Sequence, residues 1–412
     1  MRNISYFCIV KRIIRFFYTT FVALLMLFNS EASASPLPDL SLSEISDSAL
    51  ASVEISLLTC KPHEEVYSLY GHTAIRILDT EGRRDMVVNW GVFDSSQPNF
   101  VYHFVLGETD YMMAMVSTER FLREYYYYGS EVVQQKLNMT MQEKRKILAI
   151  LDEYSKPENR IYRYNFYYDN CTTRARDVIV EAMDGKVEYP AWKNLKGDET
   201  FRDIIHAKNS GYPWCEWGND FLLGMGSDAN MTPSERQFIP EMLEKDFDSA
   251  CVVEPDGTRK PLVEATSILF PAGQSMAEPM AGFPLSPMAC AVLLLVEVIA
   301  LTLCEKYVIR KEIKWLDYLL FDILGLLGLL LVVMMFSEHP TVRVNLQIFL
   351  FCPLWLVLYS PFFRWKHREK AALGILALFF LGNIFQCYAS GMNVLALSLL
   401  IRIMKNLKKS NE

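Results

Sequence analysis

The stretch FYYDNCTTRARDVIVEAMDG, residues 166–185, decides how the polar half of this chain folds. Ala175, Val178, Ile179, Ala182 and Met183 recur at the spacing of one helical face, and Gly185 is placed to end that helix. Asp169 or Asn170 is the natural N-cap, which puts Cys171 in the first turn. There the unpaired N–H groups and the helix dipole favour an anion, lower a cysteine pKa and generate thiolate, the nucleophilic form. Upstream, GHTAIRI (71–77) sets His72 at the head of a β-like run, Thr73 to Leu78, as the candidate base of a Cys–His pair. The same two residues also fit a buried structural cysteine and an unrelated turn histidine, because motifs of this kind transfer poorly between families.

Working outward, Val53, Ile55 and Leu57 alternate, as do Met86, Val88 and Trp90, and both sets predict strands. Thr140 and Glu143 form a capping box ahead of a helix with Ile147, Leu148, Leu151 and Tyr154 on one side. Arg160 to Tyr168 reads as a further strand that delivers the chain to Cys171. Residues 35–275 are thus expected to form one α+β domain. Tyr125 to Tyr128, with Tyr162, Tyr164, Tyr167 and Tyr168, make it unusually aromatic. Ordinary packing accounts for rings that bury so much area; a belt at headgroup level, or a wall beside a fatty chain, is the sharper reading.

The whole-chain figures, 412 residues with 51% hydrophobic, 22% charged and a net charge of −7, average two unlike halves. Acidic residues concentrate before about Pro284, and the remainder is apolar with basic punctuation. The polar half carries no basic stripe, which argues against nucleic acid as a partner. At the N-terminus, Lys11, Arg12 and Arg15 precede an apolar run from Phe16 to Phe28, and Ala32-Ser33-Ala34 fits a cleavage site. Residues 1–34 read as a signal peptide, with an uncleaved anchor as the alternative; either way the following domain is exported. Cys8 lies before the apolar run and is not placed like a lipid-modified cysteine. The nine cysteines form no disulfide framework. Cys290, Cys304, Cys352 and Cys387 lie in apolar stretches as packing residues, while a disulfide among Cys60, Cys215 and Cys251 fits an oxidising compartment without being assigned by the sequence. There is no CxxC and no HExxH, so neither a metal nor a cofactor is implied.

Pro271, Pro279, Pro284 and Pro287 mark a stiff connector, taken as 276–284. A transmembrane domain over 285–406 follows, with apolar spans at about 285–304, 315–336, 344–362, 371–388 and 390–404, and a tail at 407–412. Lys306, Arg310, Lys311 and Lys314 follow the first span; Arg364, Lys366, Arg368 and Lys370 follow the third; Lys405, Lys408 and Lys409 follow the fifth. The opposite connections hold only Arg343 among basic residues. The positive-inside rule therefore predicts five helices, a multi-pass arrangement with the α+β domain outside and the C-terminus in the cytoplasm. Arg402, inside the last span, is expected to snorkel to the nearer surface. Glu338, His339, Arg343 and Asn345 cluster at a span boundary on the outer side, where polar groups are either solvated or suited to a headgroup or the mouth of a site.

Taken together, GHTAIRI, VVNWGVFD (87–94), FYYDNCTTRARD (166–177) and YPWCEWGNDFLLG (212–224) resemble the exported domain of the Bacteroidetes lipoprotein N-acyltransferases, the Lnb type. The membrane half, including SEHPTVRVNLQIFLFCPLW (337–355), resembles that family's transmembrane region. Cys215 stands where the family pattern leads one to expect a polar residue. The order His before Cys is also similar to circularly permuted papain-like enzymes such as the lecithin:retinol acyltransferase group. These resemblances imply a papain-like α+β exported domain followed by an all-α bundle of about five membrane helices. They imply catalysis by Cys171 and His72, with Asn89 on the strand after the histidine to orient the imidazole. They imply an acyl chain carried as a thioester from a phospholipid donor to the α-amino group of a diacylated lipoprotein, with the N–H groups of Cys171 and Thr172 at the oxyanion. Arg174 and Arg176 could meet the donor's phosphate, or simply pair with Asp177 or solvent, and Glu338, His339 and Arg343 could meet its headgroup. A membrane-anchored cysteine peptidase or amidase acting on cell-wall peptides would use the same pair, though it needs only one anchor. A non-enzymatic interaction domain would use Cys171 for packing alone.

Overall fold

Antiparallel pairing builds the exported half. In the computed structural model, which describes residues 47–81, 84–93, 99–278 and 282–411, a seven-stranded sheet has the order β10-β5-β1-β2-β3-β4-β6. Its strands are β1 (Val53–Cys60), β2 (His72–Asp79), β3 (Arg84–Val92), β4 (Asp110–Ser117), β5 (Val132–Leu137), β6 (Ile161–Arg163) and β10 (Val263–Phe270). A small second sheet pairs β7 (Lys186–Glu188), β8 (Cys251–Val253) and β9 (Arg259–Pro261). The expected signal peptide and Pro279 of the connector lie outside the described residues.

Alternation along the central strands sends side chains to two covered faces. Ile55, Leu57, Ile75, Ile77, Met86, Val88 and Trp90 pack with Ile147, Leu148 and Leu151 of α3 (Met141–Ser155), Ala175, Val178 and Ile179 of α4 (Cys171–Ala182) and Leu243 and Phe247 of α7 (Pro240–Ser249). Leu58, Ala74 and Val87 face Phe121 and Tyr125 of α2 (Thr118–Tyr128). The Thr140–Glu143 capping box closes the start of α3. The run from Arg160 to Tyr168 departs from expectation: β6 ends at Arg163, and the Asn165 side chain accepts from the N–H groups of Tyr167 (3.3 Å) and Tyr168 (3.1 Å). Local turn chemistry of asparagine thus outweighs the strand preference of the tyrosines around it.

Of the membrane half, α8 (Pro287–Cys304, continued by a π-turn to Ile309) and α9 (Lys314–Met334) are long and apolar enough to cross a bilayer. Two further helices follow, α10 (Arg368–Gly382) and α11 (Met392–Asn411), so the expected tail at 407–412 continues a helix as far as 411. The span expected at 344–362 is not one continuous helix. Between a 3₁₀ turn at Leu346–Phe349 and a single helical turn at Trp355–Leu358 the backbone is irregular, and Pro353 and Pro361 each remove a helical donor. Irregular backbone leaves polar groups that need partners or cover. Here it runs antiparallel along α9: a Cβ at Gly328 would overlap the Phe351 carbonyl, and Phe321 packs on Trp355 and Tyr359.

Arg402 corrects a second expectation. It does not snorkel; it is 0% exposed and binds Glu305 (2.5 Å), Asp317 (2.6 Å) and the Thr302 hydroxyl (2.9 Å). Two carboxylates within reach favour burial over extension to water. Cys60, Cys215 and Cys251 are all free thiols, and Cys387 is exposed rather than packed.

The two halves interlock. Gly224 and Met225 donate to the carbonyls of Thr341 and Val344 (both 2.9 Å), and Glu338 N–H donates to Leu106 at the end of α1 (Phe100–Leu106). Gln347 reaches the Asp220 carbonyl (2.7 Å) and Asn345 that of Phe221 (2.8 Å), both on α6 (Pro213–Leu222), which follows α5 (Phe201–Asn209).

Candidate active site

Cys171 is the first residue of α4, and Asn170 is its N-cap. The Asn170 side chain accepts from the N–H groups of Thr172 (2.8 Å) and Thr173 (2.9 Å), while the Thr173 hydroxyl accepts from Asn170 N–H. The amide of Asn170 is itself anchored on the carbonyls of Phe166 and Phe238. This bracing fixes the direction in which the thiol leaves the helix. Asp169, the other candidate cap, holds Arg174 instead through two hydrogen bonds of 2.6 and 2.8 Å.

His72 opens β2, opposite Cys60 at the end of β1, and Asn89 lies on β3 opposite Ala74. His72 Nε2 is 2.5 Å from Asn89 Oδ1, so this nitrogen donates and Nδ1 is left for the thiol. Gly91 lies beside both the histidine and the cysteine. Its φ of +93° belongs to the left-handed region, and a Cβ there would sit 3.9 Å from His72 Cε1 and 4.0 Å from Cys171 Cβ. Glycine therefore lets β3 turn at this point, where the β3–β4 register also shifts, and leaves the two side chains facing each other.

The electrostatics follow from this placement. Burial opposes a charge on Cys171, but the positive ring of His72, its hydrogen bond, the Thr73 backbone N–H and the Thr172 hydroxyl outweigh it, and the thiol falls to about 7. Burial likewise opposes the His72 imidazolium, and the Cys171 thiolate with the hydrogen bonds to Cys171 and Asn89 carries the ring up to about 9. The pair is thus poised as thiolate and imidazolium. Cys60, one strand away and fully buried beside Tyr125, shows the opposite case: burial pushes its thiol far up.

Further side chains complete the surroundings. Glu124 on α2 receives a hydrogen bond from His63 that holds its carboxyl below the usual range, so a negative charge lies behind His72. The Thr73 and Thr172 hydroxyls meet at 3.2 Å, and the Phe121 ring lies 6.3 Å from that of His72. Thr73 and Thr172 adjoin His72 and Cys171 in sequence, whereas Phe121 and Glu124 both come from α2, where no local motif marks them.

The five expected substrate contacts do not converge on the thiol. Arg174 lies over the Tyr162 ring at 3.7 Å and is held by Asp169; Arg176 pairs with Asp177 and the Ser234 carbonyl. Glu338 pairs with Arg163 (2.8 Å), His339 bonds the Phe104 carbonyl (2.6 Å), and exposed Arg343 bonds the Ser337 carbonyl (3.1 Å). These last three sit where the exported domain meets the end of α9.

Two family models match the chain. The Lnb N-terminal periplasmic domain matches residues 45–198, and the Lnb transmembrane domain matches residues 278–412. The chain belongs to the Lnb family. It is a lipoprotein-processing membrane protein whose exported N-terminal domain is periplasmic. No curated protein and no solved structure matches it. Within this Lnb protein, the thiol–imidazole–amide alignment lies wholly inside the periplasmic match, and the expected headgroup residues lie in the transmembrane match.

Proposed function

We propose that this protein is a lipoprotein N-acyltransferase with Cys171 as nucleophile, His72 as acid and base, and Asn89 as the group that orients the ring. The observation that carries this reading is the alignment of Asn89 Oδ1, the His72 ring and the Cys171 thiol at a helix N-terminus, in a chain fused to membrane helices. A sheet-borne histidine facing a helix-borne thiol also suits the permuted papain-like architecture.

In the first half-reaction the Cys171 thiolate attacks an ester carbonyl of a phospholipid. The tetrahedral adduct collapses, the His72 imidazolium protonates the departing alkoxide, and lysophospholipid leaves an acyl thioester on Cys171. In the second, the α-amino group of a diacylglyceryl-cysteine lipoprotein attacks the thioester, His72 takes the amine's proton, and the thiolate departs with the amide formed. The Thr172 N–H is committed to Asn170, so the Cys171 N–H, free of intrahelical partners in the first turn, is the backbone donor for the oxyanion.

Membrane helices suit such a reaction. Both substrates are lodged in the bilayer, and lifting an acyl chain into water costs about 0.8 kcal/mol per CH₂. Five crossings, with the third made by the broken segment along α9, would place the C-terminus in the cytoplasm and the thiol at the outer face of the inner membrane.

The test uses full-length protein with phospholipid and diacylated lipopeptide. Cys171→Ala is expected to lose N-acylation by on the order of a thousandfold or more while still folding and inserting, and the wild type to carry a trapped acyl group on Cys171 by mass spectrometry. Retained N-acylation in that variant, or cleavage of muropeptides in place of acyl transfer, overturns the reading.

A further inference from the structure

A cavity of about 330 Å³ lies between the exported domain and the outer end of α9. Leu222 and Leu223 from α6 and the loop after it, Leu330 and Met334 from α9, and Val342 form much of its wall. Tyr111 and Tyr164, stacked at 4.3 Å, line it from the side of the sheet. Tyr164 also packs in the cluster that contains Cys171, and the thiolate's charge reaches its hydroxyl. The cavity therefore runs from the end of α9 to Tyr164, whose ring packs on the same core as Cys171.

Two polar groups in this wall have distinct states. The Thr109 hydroxyl has no hydrogen-bond partner among the described residues, although Thr109 is only 7% exposed. An unpaired buried hydroxyl is costly unless something else satisfies it. His339, by contrast, has its ring nitrogen on the Phe104 carbonyl, and Glu338 is turned away onto Arg163. Beyond Thr109, His339, Asn219 and the tyrosine hydroxyls the wall is hydrocarbon, and among the described residues no Asp, Glu, Lys or Arg lines it, which suits an apolar chain better than a polar metabolite. Arg343, the residue after the lining Val342, is exposed. Beside the cavity, α1 is tied to the end of α9 by bonds from Ser337, Glu338 and His339, and it exposes Tyr102 and Phe104. Such rings at the end of a span belong at the lipid interface.

We propose that this cavity holds a fatty acyl chain of a membrane phospholipid, with the Thr109 hydroxyl on its ester region and Arg343 on its phosphate. This inference rests on the acyltransferase reading and names the place where that reaction's donor binds. The occupant is the phospholipid rather than the lipoprotein because Arg343, exposed and bonded to a carbonyl where neighbouring Arg163 is held by Asp110 and Glu338, complements a phosphodiester, which a diacylglyceryl group lacks.

The test separates binding from chemistry. Full-length Cys171→Ala protein is placed in nanodiscs of phosphatidylethanolamine and phosphatidylglycerol, doped with a phosphatidylethanolamine whose acyl chain bears a diazirine. Light-induced adducts are expected on Tyr164, Leu222 and Met334. Adding Val342→Trp should lower their yield about tenfold by filling the cavity, whereas Leu326→Trp on the exposed face of α9 should not. Met334→Ala, which enlarges the space without risk of overpacking, should make longer-chain lipids better competitors of the probe. Adducts confined to outward-facing Leu326 and Leu329, yields and competition unmoved by either cavity variant, or cavity adducts from a diazirine lipopeptide in place of the phospholipid would each overturn the proposal. Cavity adducts with a wild-type protein that transfers no acyl group would remove the acyltransferase reading alone. Acyl transfer without cavity adducts would remove this inference alone.

Discussion

Two regions of this molecule bury charge, and they solve the problem in opposite ways. At the exported site, Cys171 and His72 can both be neutral; their charges arise when one proton passes between them, and each stabilises the other. At the far end, Arg402 cannot shed its proton, so Glu305, Asp317 and Thr302 must surround it permanently. Lys405 and Asn406 extend the same cluster to Glu305 and Asp317. The first arrangement is switchable and reactive. The second is fixed, and it clasps α8, α9 and α11 together.

The largest effect that would break this contrast is in the fixed cluster. Arg402→Met leaves Asp317 without its cation and Glu305 with Lys405 alone, and should cost about 3–5 kcal/mol in unfolding experiments on the detergent-solubilised protein. Combining it with Glu305→Gln and Asp317→Asn should restore most of that loss. A single variant as stable as wild type would show that the cluster is not a clasp.

Next comes the switchable pair. As pH rises through about 7 the thiol ionises, and His72 keeps its proton until about 9, so the ion pair occupies the interval between them. Alkylation of Cys171 should therefore rise through a midpoint near 7, and acyl transfer should be bell-shaped. Below the window the nucleophile is protonated; above it the ring cannot protonate the leaving group, and both limbs belong to the pair as a unit. His72→Ala should move the alkylation midpoint up towards about 8.5, the value of an unperturbed cysteine. A midpoint unmoved by this variant would assign the low value to the helix N-terminus instead.

The smallest effect sharpens that last distinction. Asn170→Ala removes the cap of α4 and should lower stability by about 1 kcal/mol in chemical denaturation, while the Cys171 midpoint stays near its wild-type position. A midpoint that follows the cap would make the helix, not the histidine, the main source of thiolate.

Periodicity made several elements legible without coordinates. The alternations at Val53–Leu57 and Met86–Trp90, the capping box at Thr140 and the helical face behind Cys171 are local patterns, and each forms where its residues indicate. The strand expected to reach Tyr168 was overruled by a single asparagine turn, and the continuous helix expected at 344–362 by two prolines and the company of α9. Apolar composition speaks to where a segment resides, not to whether it is a helix.

What sequence by itself determined was the helix start that exposes Cys171, the strand that begins at His72, and the division into a polar and an apolar half, because those depend on neighbours within a few residues. Only the tertiary structure decided that His72 Nε2 meets Asn89, that Arg402 turns inward to Glu305 and Asp317, and that Thr109 shares a cavity with Met334. Those pairings join residues tens to hundreds of positions apart, and their energies come from mutual burial, which exists only after the chain has packed.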